Sequence, residues 1–162
     1  MKEVTIYTDG ACRGNPGPGG YGAIMMYKGH RKELSGGFRH TTNNRMELLA
    51  VIESLKALKS SCKVNLYTDS KYISDAINKG WIIKWKTKNW MKSPMESVKN
   101  KDLWLELDKL RSIHNIGFFW VKGHSDNEYN NQADEIAVKA SRDTPNLQID
   151  TAFEEEAGLS FG

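Results

Sequence analysis

The stretch "GNPGPGGYGAIMMY", Gly14 to Tyr27, constrains the fold of this chain more than any other. Gly17, Gly19 and Gly22 satisfy the spacing G-x-G-x-x-G. That spacing cradles a dinucleotide only where a strand precedes it and a helix opens at its last glycine. A strand does precede it, because "VTIYTDG" alternates and is rich in β-branched residues. No helix start follows: Pro18 lies inside the motif, and "YGAIMMY" is aromatic and apolar. Pro16 and Pro18 suit a turn instead. The segment therefore reads as a strand, a Gly/Pro turn and a second, antiparallel strand.

The remaining elements follow from this start. "YGAIMMYKG" and "RKELSGGFRHT" are the second and third strands, joined by a turn at Lys28–Gly29–His30. "NNRMELLAVIESLKALK" is an amphipathic helix, with Met46, Leu49, Ile52 or Val51, Leu55 and Leu58 at helical spacing. "KVNLYTD" is a fourth strand, "SKYISDAI" a short helix capped by Ser70, and "NKDLWLELDKLRSI" a helix with Leu103, Leu107 and Leu110 inward. "IGFFWVKG" is a fifth strand, and a last helix runs from about Gln132 to Ser141. The order β-β-β-α-β-α-α-β-α predicts an α/β fold with a mixed sheet flanked by helices.

The 162 residues suit one domain with a sizeable core. The net charge of +3 is unevenly spread: residues 1–142 carry 23 basic and 15 acidic groups, a net +8, and residues 143–162 carry five acids and no Lys or Arg. The basic body fits a polyanionic partner or a solvated charged surface. The acidic, Pro-containing tail, 143–162, is expected to be disordered. No apolar run reaches the roughly 20 residues of a membrane helix, and "MKEVTIYTDG" enters a strand directly, with no sign of a signal peptide. Cys12 and Cys62 are too few for a disulfide framework and lack zinc spacing, so a cytoplasmic protein is expected.

"YTD" occurs twice, ending in Asp9 and Asp69, each at the end of a strand. If the two strands are adjacent and parallel, both carboxylates meet at the C-terminal edge of the sheet, where open α/β sheets bind ligands. Two such charges need a cation between them, and oxygen ligands suit Mg²⁺. Both are equally readable as Asp residues that start turns. Glu47 fits the N3 position of a capping box with Asn44 as N-cap, and Asp134 fits the first turn of a helix, where the dipole favours an acid. Taken together, four acids gathered at one edge would cost several kcal/mol without metal. His124, in a polar loop ten residues before Asp134, reads as solvated or as a proton carrier near neutrality. The segment from Lys79 to Lys101 holds seven lysines against one acid, together with Trp81, Trp85 and Trp90. Its lysines suit phosphates and its rings suit bases or sugars, although Trp81 and Trp85, one helical turn apart, could equally be core.

These residues carry a family likeness. "YTDGACRGNPGPGGYG", "TTNNRMELLA", "YTDSKY", "WIIKWKTKNW", "VKNKDLW" and "WVKGH" with "ADE", in this order from Val4 to Arg142, resemble the type 1 ribonuclease H family, in particular its bacterial members. The resemblance implies a ribonuclease H-like fold with a five-stranded mixed sheet over residues 1–142. It implies a monomeric endoribonuclease that hydrolyses the RNA strand of RNA/DNA hybrids, leaving 3′-hydroxyl and 5′-phosphate ends, with two Mg²⁺ ions or Mn²⁺ in their place. Asp9, Glu47, Asp69 and Asp134 match the family's metal-binding acids, and His124 its flexible-loop histidine. Cys12, Asn15, Asn43 and Asn44 match positions that contact the hybrid, and Thr42 a position at a DNA phosphate. Trp81, Lys84, Trp85, Lys86, Lys88 and Trp90 match the basic protrusion that holds the DNA strand. Lys71 stands where many bacterial relatives have Gln, and it is expected to touch substrate beside Asp69. The loop "HSDNEYNN" lacks a second histidine and a proline common among relatives. A non-catalytic hybrid-binding module, or another nuclease or strand-transfer enzyme of the same fold, would be the alternatives.

Overall fold

The computed structural model describes residues 1–123 and 127–158. Strands β1 (Lys2–Cys12), β2 (Gly17–Tyr27) and β3 (His30–Thr41) form a meander. β2 and β3 are joined by Lys28 and Gly29, whose φ values of 44° and 81° give the tight reversal. Helix α1 (Asn43–Lys56) leads to β4 (Cys62–Thr68), which is followed by helices α2 (Lys71–Asn78) and α3 (Trp81–Thr87). A small hairpin, β5 (Met91–Ser93) and β6 (Glu96–Ser97), precedes α4 (Lys101–Ile113), β7 (Asn115–Trp120) and α5 (Glu128–Ser141). A 3-10 turn (Thr144–Asn146) and helix α6 (Thr151–Glu156) follow.

The main sheet has five strands in the order β3-β2-β1-β4-β7. The β1–β2 and β2–β3 pairs are antiparallel, whereas β1–β4 and β4–β7 are parallel. This is the mixed sheet expected from the sequence. One face carries Val4, Ile6, Val64 and Leu66, which meet Leu48, Ile52 and Leu55 of α1 and Leu103, Trp104 and Leu107 of α4 in one buried cluster. On the other face α5 lies directly on β2. A Cβ on Gly20 would come 2.4 Å from the Ala137 carbonyl oxygen, and one on Gly22 would come 2.5 Å from that of Ala133. The glycine run therefore serves helix-on-strand contact rather than phosphate binding.

Three expectations change. Helix α1 starts earlier than its presumed cap: Thr42 is the N-cap and accepts from the Arg45 N–H, so Asn44 is already helical and Glu47 is past the first turn. α5 also starts earlier, capped by Asn127, which places Asp134 in its second turn. The lysine-rich arm forms α3 and the β5–β6 hairpin, and its tryptophans pack against the core, the alternative that the sequence left open. Trp90 is 8% exposed, and Trp85 lies 5.3 Å from the buried ring of Trp104, centroid to centroid.

The last correction concerns the acidic tail, which is folded through the described residues. Gln148 exchanges backbone hydrogen bonds with Gly37 and Arg39. Asp150, itself buried, accepts from Arg45 Nε at 2.7 Å and from Thr41 Oγ1 at 2.7 Å. Glu154 takes a bidentate pair from Arg39 at 2.7 and 2.9 Å. Two of the tail's five acids, Asp150 and Glu154, are thus partnered by arginines of α1 and β3.

Candidate active site

Thr8 of β1 is in register with Thr68 of β4, so the next residues, Asp9 and Asp69, stand side by side at the C-terminal end of two parallel strands. Glu47 reaches the same edge from α1, on the core face of the sheet. The Gly10 N–H joins Asp9 and Glu47, donating to Asp9 Oδ1 and to Glu47 Oε1 at 2.9 Å each. That proximity requires glycine, because a Cβ at position 10 would lie 2.5 Å from the Glu47 backbone nitrogen. One carboxylate oxygen from each of Asp9, Glu47 and Asp69 lies within 4.8 Å of the others. Asp134, from α5 on the opposite face, lines the same open cleft of about 430 Å³, together with Asn43, Asn44, Lys71 and Tyr72.

The electrostatics are unfavourable as they stand. Burial, then the charge of Glu47, pushes the Asp9 carboxyl far above its ordinary range, and Asp69 and Asp134 add to the effect. Burial raises Glu47 as well, opposed by its hydrogen bond with Asp9. The two buried carboxyls therefore retain a proton at neutral pH when no cation is near. Glu47 Oε2 is also fully buried with no hydrogen-bond partner among the described residues. A buried carboxylate oxygen left without a donor beside two more carboxylates is the signature of a cation site. The donors are all hard oxygens, which fits Mg²⁺ or Mn²⁺ rather than zinc.

The other expected residues fall into three groups. Asn43 and Asn44 face the cleft, and Asn15 supports them by accepting the Asn43 N–H at 3.1 Å. Cys12 is half-buried beside them, its thiol directed at the carbonyls of Gly17 and Thr41 at 3.4 Å each. Trp81, Lys84, Trp85, Lys86, Lys88 and Trp90 lie outside the cleft lining. Lys84, Lys86 and Lys88 are exposed, with Lys86 paired to Asp108 at 3.0 Å, whereas the buried Trp90 has little surface to offer a ligand. His124 lies outside the described residues. Two cleft residues went unnoticed in the sequence. Tyr72 is held by the Trp104 Nε1–H at 2.8 Å and by Asn100 at 3.3 Å. Ser70 caps α2 through the Ile73 N–H, as its position in "TDSKY" already indicated, but it also lines the cleft.

A family model described as RNase H matches residues 1–142. The chain is 59% identical to the ribonuclease H of Desulforamulus reducens over 150 residues, covering 93% of this chain and 94% of that protein. It superimposes on LC9-RNase H1, described as a type 1 RNase H with the type 2 active-site motif, with a TM-score of 0.80 and 30% identity over 97% of this chain and 81% of that one. It shares the fold of LC11-RNase H1, solved in complex with an RNA/DNA hybrid, with a TM-score of 0.62 and 23% identity over 88% and 99% of the two chains. No helix among the described residues is long and apolar enough to cross a membrane. With an RNase H model matching most of its length and a relative this similar across nearly all of it, the chain belongs to the ribonuclease H family.

Proposed function

We propose that the chain is a metal-dependent endoribonuclease that hydrolyses the RNA strand of RNA/DNA hybrids and leaves 3′-hydroxyl and 5′-phosphate ends. The observation that carries this reading is the convergence of Asp9, Glu47 and Asp69 around a buried carboxylate oxygen with no partner among the described residues. Family membership and the hybrid bound to a fold neighbour support it. Asp9 and Asp69 would be the central metal ligands, flanked by Glu47 and Asp134. Two Mg²⁺ ions, or Mn²⁺ in their place, held by these acids would supply Lewis acidity to the scissile phosphate.

The protein's own groups bind and select the duplex. The side-chain amides of Asn43 and Asn44 both donate and accept, which suits a ribose 2′-hydroxyl, the mark that separates RNA from DNA. Thr42 Oγ1 accepts the Arg45 N–H, so its hydroxyl proton can point outward to a DNA-strand phosphate. Lys84 and Lys88, exposed on the arm, would hold that strand further out. His124 would carry a proton away from the leaving side. None of these contacts reads base edges, so little sequence preference is expected. The reading extends to a monomer acting in the cytoplasm.

The test is a duplex of labelled RNA with DNA, incubated with wild type and with Asp9→Asn, with Mg²⁺ and with chelator, beside RNA/RNA and DNA/DNA controls. Internal cutting of the hybrid's RNA alone, lost with chelator and in Asp9→Asn, supports the proposal. Tight hybrid binding without cutting in Mg²⁺ or Mn²⁺ replaces it with a binding module.

A further inference from the structure

Asp69 is braced by the end of β7 and the residues that follow it. The Trp120 Nε1–H donates to the Asp69 carbonyl at 3.1 Å, and the Val121 N–H donates to the Thr68 carbonyl at 2.9 Å. Gly123 passes so close that a Cβ there would stand 3.1 Å from Asp69 Oδ2. Trp120 has a second contact, through its ring face. The ammonium of Lys71, at the start of α2, lies over its indole, 4.8 Å from the ring centroid. Lys71 is exposed and lines the cleft, while Trp120 remains 43% exposed.

A lysine next to a cluster of carboxylates would be expected to collapse onto one of them. Lys71 makes no ion pair among the described residues and rests on the ring instead. A cation on an aromatic face keeps its full charge and its outward N–H donors. The cleft itself repels a polyanion, so a fixed cation at its lip raises the local concentration of phosphate. We infer that Trp120 is a positioning residue that holds the Lys71 ammonium at the lip of the cleft, where it binds a backbone phosphate of the duplex, while its indole N–H fixes the backbone of Asp69. This inference rests on the hybrid-nuclease reading above.

The experiment measures binding of an RNA/DNA hybrid in the Asp9→Asn background, where no cutting intervenes, across a series of NaCl concentrations. Lys71→Gln should flatten the slope of log K against log salt by about 0.9, the release of one phosphate's counterion. Lys71→Arg should restore it. Trp120→Leu should weaken binding by about twofold to fivefold, the weight of one exposed cation–ring contact. The same change made on top of Lys71→Gln should add nothing. Trp120→Phe, which keeps a ring and loses the N–H, should retain most of the binding. In the active enzyme, Lys71→Gln should raise KM more than it lowers kcat. A slope unchanged in Lys71→Gln refutes the phosphate contact, and this exposed substitution carries the test even if Trp120→Leu does not fold. Equal loss from Trp120→Leu with and without Lys71 shows that the tryptophan is merely structural and overturns the positioning role. A wild type that cuts the hybrid while Lys71→Gln keeps its slope sinks this inference alone, whereas a wild type that cuts no hybrid in Mg²⁺ sinks the reading beneath it.

Discussion

Asp9→Asn should stabilise the metal-free protein while abolishing its activity. Asp9 is 3% exposed, and burial and the neighbouring Glu47 hold its carboxyl well above neutrality. In the unfolded chain the same group has a pKa of about 3.9. Folding at pH 7 in chelator therefore takes up a proton across roughly three pH units, at about 1.4 kcal/mol each, an upper limit of about 4 kcal/mol. Relaxation and water entry at the open cleft reduce that to about 2–4 kcal/mol. The amide of the variant can still accept the Gly10 N–H and can donate to Glu47, as the protonated acid does, without the uptake. The sign with pH follows from a raised acid: the penalty is absent below about pH 4 and grows as pH rises through neutrality. Urea denaturation followed by circular dichroism at pH 7 in chelator should show the variant more stable by about 2–4 kcal/mol, or about 4–16 °C in Tm. The gap between the two proteins should close as the pH falls toward 4, and Mg²⁺ should stabilise the wild type more than the variant. A variant equal to or less stable than wild type in chelator, with an unchanged gap at low pH, would refute the view that these carboxylates are held together at a cost.

Three further outcomes follow from the structure. Asp150→Ala should destabilise the protein by about 2–4 kcal/mol in urea unfolding, because it leaves the buried Arg45 with Asp102 alone as its carboxylate partner. Gly22→Ala should lower kcat on a hybrid by at least about tenfold, by pushing the Ala133 turn of α5, and Asp134 with it, away from β2; activity at the wild-type level would show that α5 can shift freely. His114 is buried and accepts the Cys62 N–H at Nδ1, 3.1 Å away, and burial lowers its pKa. Its contribution is complete above the ordinary histidine pKa of about 6.5 and is lost as the pH falls through the lowered folded value. Melting curves at descending pH should therefore show an acid-side loss that His114→Asn lacks.

The strands and the two strand-end aspartates were legible because their signals are local. β-branched alternation marks the strands, and the repeat of "YTD" marks the edge. What the sequence obscured depends on partners far along the chain. Asn44 has the composition of a cap, but the backbone turns into the helix two residues earlier, where Thr42 bonds the Arg45 N–H. Asp150 and Glu154 look solvated until the fold brings Arg45 and Arg39 opposite them. Trp90 carries the residue type of a nucleic-acid platform, yet it packs beside the indole of Trp85, which itself lies against the buried Trp104. Asp134 as a first-turn acid had a purely structural explanation; its place in the second turn of α5, lining the cleft, removes it.

The glycine run that imitates a dinucleotide fingerprint is itself part of how the acids meet. Gly22 is the antiparallel partner of Asp9, and its missing side chain admits the α5 backbone at Ala133, the residue before Asp134. Gly10, next along β1, admits the α1 backbone at Glu47 from the other face. Two glycines beside one aspartate thus let helices from both sides of the sheet bring carboxylates to the edge where Asp9 and Asp69 already stand. Helix packing alone would keep these side chains apart, since like charges in a desolvated cleft repel. The chain instead removes the two Cβ atoms that would hold the helices off. It also donates one shared N–H to Asp9 and Glu47, and it leaves Glu47 Oε2 without a donor among the described residues. The crowding of buried carboxylates destabilises the free protein and suits a bound dication, so the stability it forgoes is concentrated at the site where the chemistry is expected.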